Sequence, residues 1–216
     1  KARNKIRQSL NEIESRQAAF ARAAKPYLDA KKLLEQKENY SHFEEIEALT
    51  QVDYLRRAGI EITTLGIGKE YITGTRNITV KSDISVEDAV MSSDVEMLIL
   101  PGGLGGVNGI SGSEKAISMI KEAYEKGIYI AAICAAPTIL ASLGMLKGKK
   151  CVCYPSMLDE LEAGGGIVCA DCAVVHDGKL ITAKAAGASE EFSFELIRTL
   201  KDDAAAEAVR ASICAR

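Results

Sequence analysis

Apolar residues in this chain fall into short continuous runs between residues 60 and 183, and into spacings of three and four on either side. The two patterns alternate. Residues 44–58 carry helical spacing and stop at Gly59, 60–66 read as a strand, 70–80 as a short hairpin region, and 96–100 as another strand. After a glycine loop the pattern predicts helix 112–126, strand 128–133 and helix 135–144. Short strands fill 151–182, with Asp177-Gly178 as a hairpin turn, and helices 188–200 and 203–213 follow. A run such as Ile128 to Ile133, apolar throughout, suits a parallel strand buried on both faces. The expected class is therefore α/β, a doubly wound and mostly parallel sheet sandwiched by helices.

Residues 1–38 differ in kind. Ile6, Leu10, Ile13, Gln17, Phe20, Ala24, Tyr27, Lys31 and Leu34 alternate spacings of three and four, a coiled-coil-like seam with two polar exceptions. Pro26 should end or kink this helix near Lys25. The chain thus divides into a helical extension, 1–38, and an α/β domain, 39–216. The extension is read as a helical hairpin or an arm docking on a partner subunit, with a solvated, partly frayed extension as the alternative.

Composition narrows the function classes. With 216 residues and 47% hydrophobic content the chain can bury a sizeable core. The net charge of -3 points to no nucleic-acid partner, although residues 1–40 hold ten Lys/Arg against five Asp/Glu. No apolar run reaches the roughly 20 residues a membrane span needs, and the first residues lack the apolar core of a signal peptide. A cytoplasmic protein with no membrane partner is expected, its six cysteines reduced. Cys169 and Cys172 have CxxC spacing, but no second such pair follows, and they are read as two cysteines on a strand. His42 and His176 make no metal site.

The candidate chemistry sits in GIYIAAICAAPTILASLGML, residues 127–146. The buried strand stops at Cys134 and a helix starts at once, with Pro137 in its first turn. A sulfur at such a junction meets free backbone N–H groups and the positive end of a helix dipole, both of which favour thiolate. Cys134 is a candidate nucleophile on that ground, and a simple core cysteine on position alone. LILPGGLGG, residues 98–106, is a second strand running into glycines, and its end lies on the same sheet edge. Those glycines serve either a close backbone approach or only a tight turn.

EEIEALTxVDxLRRAGIE, YITGTRNITVKSDIS (71–85), LPGG, AAICAAPTIL and GKLITAKAAGASEEFSFELI (178–197), taken together and in order, resemble the ThiJ/PfpI superfamily. The likeness is to its DJ-one-like branch, bacterial type, and covers about residues 43–213. It implies a flavodoxin-like or Rossmann-like sheet, a homodimer, and an active site with Cys134 as nucleophile. The same resemblance places Glu47 beside the thiol as general acid/base and thiolate partner. The helical pattern alone puts Glu47 off the stripe formed by Ile46, Leu49, Val52 and Leu55, as a solvated charge. Gly102, Gly103 and Ala135 would supply backbone N–H groups around the sulfur or an oxyanion, and Tyr154 would be auxiliary. The chain departs from the family at KKLLEQKENYSHFEEIE (31–47), where members carry an apolar first strand. Ala135 replaces the histidine of the protease members, so a protease triad is not expected.

The function the resemblance implies is a cofactor-independent cysteine enzyme acting on small reactive aldehydes or glycated amines. It is a glyoxalase or deglycase type that takes methylglyoxal to lactate through a hemithioacetal, with no metal. The alternative is a redox-sensing or chaperone protein responding to oxidative stress through oxidation of Cys134. A role in thiazole monophosphate biosynthesis ranks last, because PGGLGG has no Lys-Ser/Thr partner to make a phosphate loop.

Overall fold

The computed structural model of the protein describes Lys25 and residues 42–215. The seam expected over residues 6–34 (Lys25 apart), the boundary after residue 38 and the polar stretch 35–41 lie outside the described residues.

Chain order is α1 (Glu45–Arg57), β1 (Leu65–Gly66), β2 (Tyr71–Thr73), β3 (Thr79–Lys81), β4 (Ile84–Ser85), β5 (Met97–Leu100), α2 (Leu104–Gly112), α3 (Glu114–Glu125), β6 (Tyr129–Ile133) and α4 (Pro137–Ser142). Then come β7 (Lys150–Cys151), α5 (Leu158–Ala163), β8 (Ile167–Val168), β9 (Val174–Asp177), β10 (Leu180–Ala183), α6 (Ser189–Leu200) and α7 (Asp203–Ser212). The central sheet runs β5-β6-β10-β9, with β5, β6 and β10 parallel and β9 antiparallel at one edge. Two-stranded pieces β1-β4, β2-β3 and β7-β8 surround it.

Alternation along β6 divides the core. Ile130 and Ala132 face a cluster with Val107, Ile110, Met119 and Ile120 of α2 and α3, and with Leu140 of α4. Ala131 and Ile133 face Leu55 of α1, Phe192, Leu196 and Ile197 of α6, and Val209 of α7. All four β6 residues from Ile130 to Ile133 are fully buried, which is why the run is apolar at every position. Along β5, by contrast, Met97, Leu98 and Ile99 are only partly buried. No described strand pairs with the edge of β5 that faces away from β6.

Several expectations change in the structure. Strand 60–66 pairs only at Leu65–Gly66, because the Thr64 backbone is taken up by Asp83: the Thr64 N–H donates to Asp83 Oδ2 at 2.8 Å and its carbonyl accepts the Asp83 N–H at 3.1 Å. Helix 112–126 stands as α3, Glu114–Glu125, but the stretch before it, read as a glycine loop, holds a helix of its own. This helix, α2, forms over LGGVNGISG despite glycine's poor helix propensity, since Val107 and Ile110 are buried and Gly106 passes close beneath Phe43. Helix α5 lies within the region read as short strands. The Cys169–Cys172 segment is a hydrogen-bonded turn, not strand: the Cys172 N–H donates to the Cys169 carbonyl at 3.0 Å.

The apolar stripe on α1 is kept at Leu55 and lost toward the helix start. The helix buries Glu45, Glu47, Gln51 and Leu55, while Ile46 is 53% and Leu49 36% exposed. Each buried polar group has a reason to be inside. Glu45 clamps the following loop, accepting from Thr75 Oγ1 at 3.0 Å and from the Arg76 N–H at 2.6 Å. Gln51 Oε1 accepts from Ser193 Oγ of α6 at 2.9 Å. Glu47 faces the ends of the central strands.

Candidate active site

Three parallel strands end on one edge, and each delivers part of the site. β5 runs into Pro101-Gly102-Gly103, β6 into Cys134, and β10 into Lys184-Ala185-Ala186. Carboxyl ends of parallel strands are where such sheets place ligands.

Cys134 has φ +63°, a left-handed conformation that a non-glycine residue adopts only under constraint. The constraint is visible. Its N–H donates to the Ala183 carbonyl at 2.9 Å, and its carbonyl accepts the Tyr154 N–H at 2.8 Å. The strand therefore turns sharply into α4, aiming the side chain off the sheet edge as a nucleophile elbow does.

Glu47 reaches the same place from the first turn of α1. Its N–H is held by the Glu44 carboxylate at 2.8 Å, and its side chain is 1% exposed. Burial, with the Glu44 charge nearby, pushes its pKa from 4.5 to about 7. The Cys134 thiol and the N–H groups of Gly102 and Ala186 surround the carboxyl and pull the pKa partly back. Glu47 Oε2 nonetheless has no partner in hydrogen-bond geometry. A buried carboxyl oxygen in that position is accommodated when it carries a proton, or when it awaits one.

Burial likewise pushes the Cys134 thiol up, to about 12, with the Glu47 charge and hydrogen bond adding to the rise. The N–H groups of Ala135 and Gly103 act in the opposite sense and are outweighed. This reverses the expectation of a thiolate. Desolvation of the sulfur exceeds what two N–H groups and the six-residue α4 supply. The resting pair is a neutral thiol beside a carboxyl that changes charge near neutrality.

The expected backbone groups divide their work. Gly103, at φ +86°, and Ala135 present N–H groups to the sulfur, whereas the Gly102 N–H serves Glu47. A Cβ on Gly102 would overlap Glu47 Oε2 and lie 2.7 Å from Cys134 Cβ, so the glycine is required by close approach rather than by the turn alone. Tyr154 contributes through its backbone. Its side chain is 46% exposed, and no hydrogen bond joins its hydroxyl to Cys134 or Glu47. Ala186, beside Glu47, is a contributor that its sequence gives no chemical sign of, since only its N–H takes part. His176 is engaged elsewhere, Nδ1 with Glu195 Oε1 at 2.7 Å and Nε2 with the Gly178 carbonyl at 3.0 Å. Among the described residues no group of three or more His, Cys, Asp or Glu is arranged to hold a metal.

Comparison with known proteins places the chain in a family. Residues 39–199 match the DJ-1/PfpI family. Protein dj-1beta of Drosophila melanogaster is 39% identical over 158 residues, covering 73% of this chain and 83% of that protein. A deglycase of Pyrococcus abyssi (strain GE5 / Orsay) is 30% identical over 159 residues, covering 74% of this chain and 94% of the relative. The crystal structure of Drosophila melanogaster DJ-1beta superposes with a TM-score of 0.77 at 34% identity, across 82% of this chain and 94% of that one. With sequence match and fold in agreement over the α/β region, the chain belongs to the DJ-1/PfpI family.

Proposed function

We propose that the protein is a cofactor-independent cysteine enzyme acting on small reactive aldehydes, of glyoxalase or deglycase type. The observation that carries the reading is a carboxyl of pKa about 7 buried against the Cys134 thiol. A general base poised near working pH can take the thiol proton at the moment of attack, so a stable thiolate is not needed. The deglycase name of the archaeal relative supports this direction.

For methylglyoxal, Cys134 and Glu47 share the chemistry. Ionised Glu47 accepts the thiol proton as Cys134 Sγ bonds to the aldehyde carbon. The carbonyl π electrons move to oxygen, and Glu47 returns the proton there to give the hemithioacetal. Glu47 next takes the proton from the sulfur-bearing carbon, whose electron pair moves toward the adjacent carbonyl to give an enediolate. The proton returns to the adjacent carbon while the hydroxyl proton of the first carbon passes to the second oxygen, leaving a thioester of lactate. Water cleaves the thioester, releasing lactate and the thiol. N–H groups of Gly103 and Ala135 lie close enough to the sulfur to hold developing oxyanions. Methylglyoxal and one water become lactate, with no external oxidant or reductant.

The test is lactate formation from methylglyoxal with nothing added. Wild type should turn over and Cys134→Ser should fall by about 10³-fold or more, the scale seen when a covalent nucleophile is lost. Absence of lactate in both would discard the enzyme reading in favour of oxidation sensing at Cys134.

The outward apolar face of α1 supports a homodimer in the same reading. Covering Ile46 and Leu49, 53% and 36% exposed, is worth on the order of 0.5–1.5 kcal/mol for each side chain. Ile46→Lys should convert a dimer to a monomer by size exclusion with light scattering. An unchanged mass for the variant places the interface elsewhere.

A further inference from the structure

The CxxC segment that the active site does not use folds as a closed turn with a free cysteine at each end. Ala170 and Asp171 form the corners of the turn, with Cys169 and Cys172 at its first and last positions. Its closing hydrogen bond is the 3.0 Å contact from the Cys172 N–H to the Cys169 carbonyl. A closed turn of this kind brings its end Cα atoms within about 7 Å, and a disulfide spans Cα separations of about 4.4–6.8 Å. Ala170 and Asp171 suit the corner positions, since aspartate favours turns. Both cysteines are free, Cys172 exposed and Cys169 partly so. The other cysteines of the region, Cys151 and Cys153, are fully buried.

The turn is anchored at both ends. The Cys169 N–H donates to the Cys151 carbonyl at 2.9 Å, which ties it to the β7-β8 pair, and the Cys169 thiol points at the Ile167 carbonyl at 3.8 Å. On the far side the Ala173 carbonyl accepts the Lys184 N–H at 2.9 Å. A turn held in this way keeps the backbones of its two cysteines near one another and meets solvent at Cys172. It stands at the sheet edge that carries Cys134, yet no hydrogen bond joins it to Cys134 or Glu47.

We propose that Cys169 and Cys172 form a reversible intramolecular disulfide, a second redox site of this protein that is chemically separate from Cys134 and takes small hydroperoxides as its oxidant. The exposed Cys172 sulfur attacks the outer peroxide oxygen. An S–O bond forms, the O–O bond breaks, and water or an alcohol leaves, so the sulfur becomes a sulfenic acid. The Cys169 sulfur then attacks it, forming the S–S bond and expelling water. Two thiols lose two electrons and two protons, and the peroxide gains both. A small dithiol reverses the change by exchange.

The experiment uses the full chain carrying Cys134→Ser, so that oxidation at the catalytic sulfur does not interfere, and hydrogen peroxide as the probe at one equivalent. Intact mass should fall by two hydrogens, and maleimide-reactive thiols in denaturant should drop from five to three, counting from the six free cysteines. Fragment mapping should join Cys169 to Cys172, and dithiothreitol should restore all five thiols. Adding Cys172→Ser, an exposed change with no packing cost, should abolish the loss of two hydrogens. A bond from either residue to Cys151 or Cys214, a disulfide between two chains, or five thiols still reactive after peroxide would each overturn the proposal.

Discussion

Glu47→Gln should lower turnover by about 10²–10⁴-fold, the usual contribution of a positioned acid or base, and at pH 8 it should make the fold more stable. The two effects share a cause. Glu47 titrates near 4.5 when exposed and at about 7 in the folded chain. Below 4.5 it is protonated in both states and costs nothing by ionisation. Between 4.5 and 7 the unfolded chain ionises first, so stability falls as pH rises. Above 7 the folded chain holds a buried carboxylate, at a cost of roughly 3 kcal/mol. Glutamine keeps the shape and removes that cost. Urea unfolding at pH 5 and pH 8 should therefore show the variant gaining on wild type as pH rises. In the same series the kcat/KM of the wild type should climb through an acid limb near pH 7 as the base ionises. A stability difference independent of pH, or a flat profile across that limb, would remove Glu47 from the role of base.

Gly102→Ala is the second large effect. The new methyl would overlap Glu47 Oε2, lie 2.7 Å from Cys134 Cβ and 3.0 Å from the Ile133 carbonyl. Ile133 belongs to the buried β6 and cannot yield, so the Glu47 side chain must turn aside. Turnover should fall by about 10²-fold or more, as when a reacting group is displaced by about 1 Å, and stability by about 1–3 kcal/mol from overpacking. The acid limb should also move, because the carboxyl changes surroundings. Gly187→Ala is the control. Nothing lies within 4 Å of a Cβ there, and stability should stay within about 0.5 kcal/mol. Full turnover in Gly102→Ala with the limb still near 7 would show that the close approach carries no catalytic weight.

Much of the fold was legible because burial on both faces leaves a direct mark on a strand. The continuous apolar run ending at Cys134, the glycines after β5 and the Asp177-Gly178 hairpin each announce an element whose local requirements admit few residues. The elbow follows from that junction alone: a strand that stops at one residue and a helix with proline in its first turn leave a single residue to make the bend.

Other features needed packing to decide them. On α1 the periodic stripe marked Ile46 and Leu49 as the inner face, yet Glu45 and the Gln51 carbonyl oxygen find donors inside and Glu47 lies against Cys134, and those are the residues buried. The resemblance brought Glu47 to the thiol; its spacing did not. Helix α2 grew through four glycines because Val107 and Ile110 found a core to enter. Cys169 and Cys172 share a turn because a backbone hydrogen bond closed there, which spacing does not reveal. For Cys134 the sequence displayed the groups that would lower its pKa, but not the desolvation that overcomes them. Which residues join elements and where the chain bends are properties of local composition, and the sequence by itself determined them. Which side chains lose water, and how they titrate in consequence, depends on distant segments closing over them, and only the tertiary structure decided that.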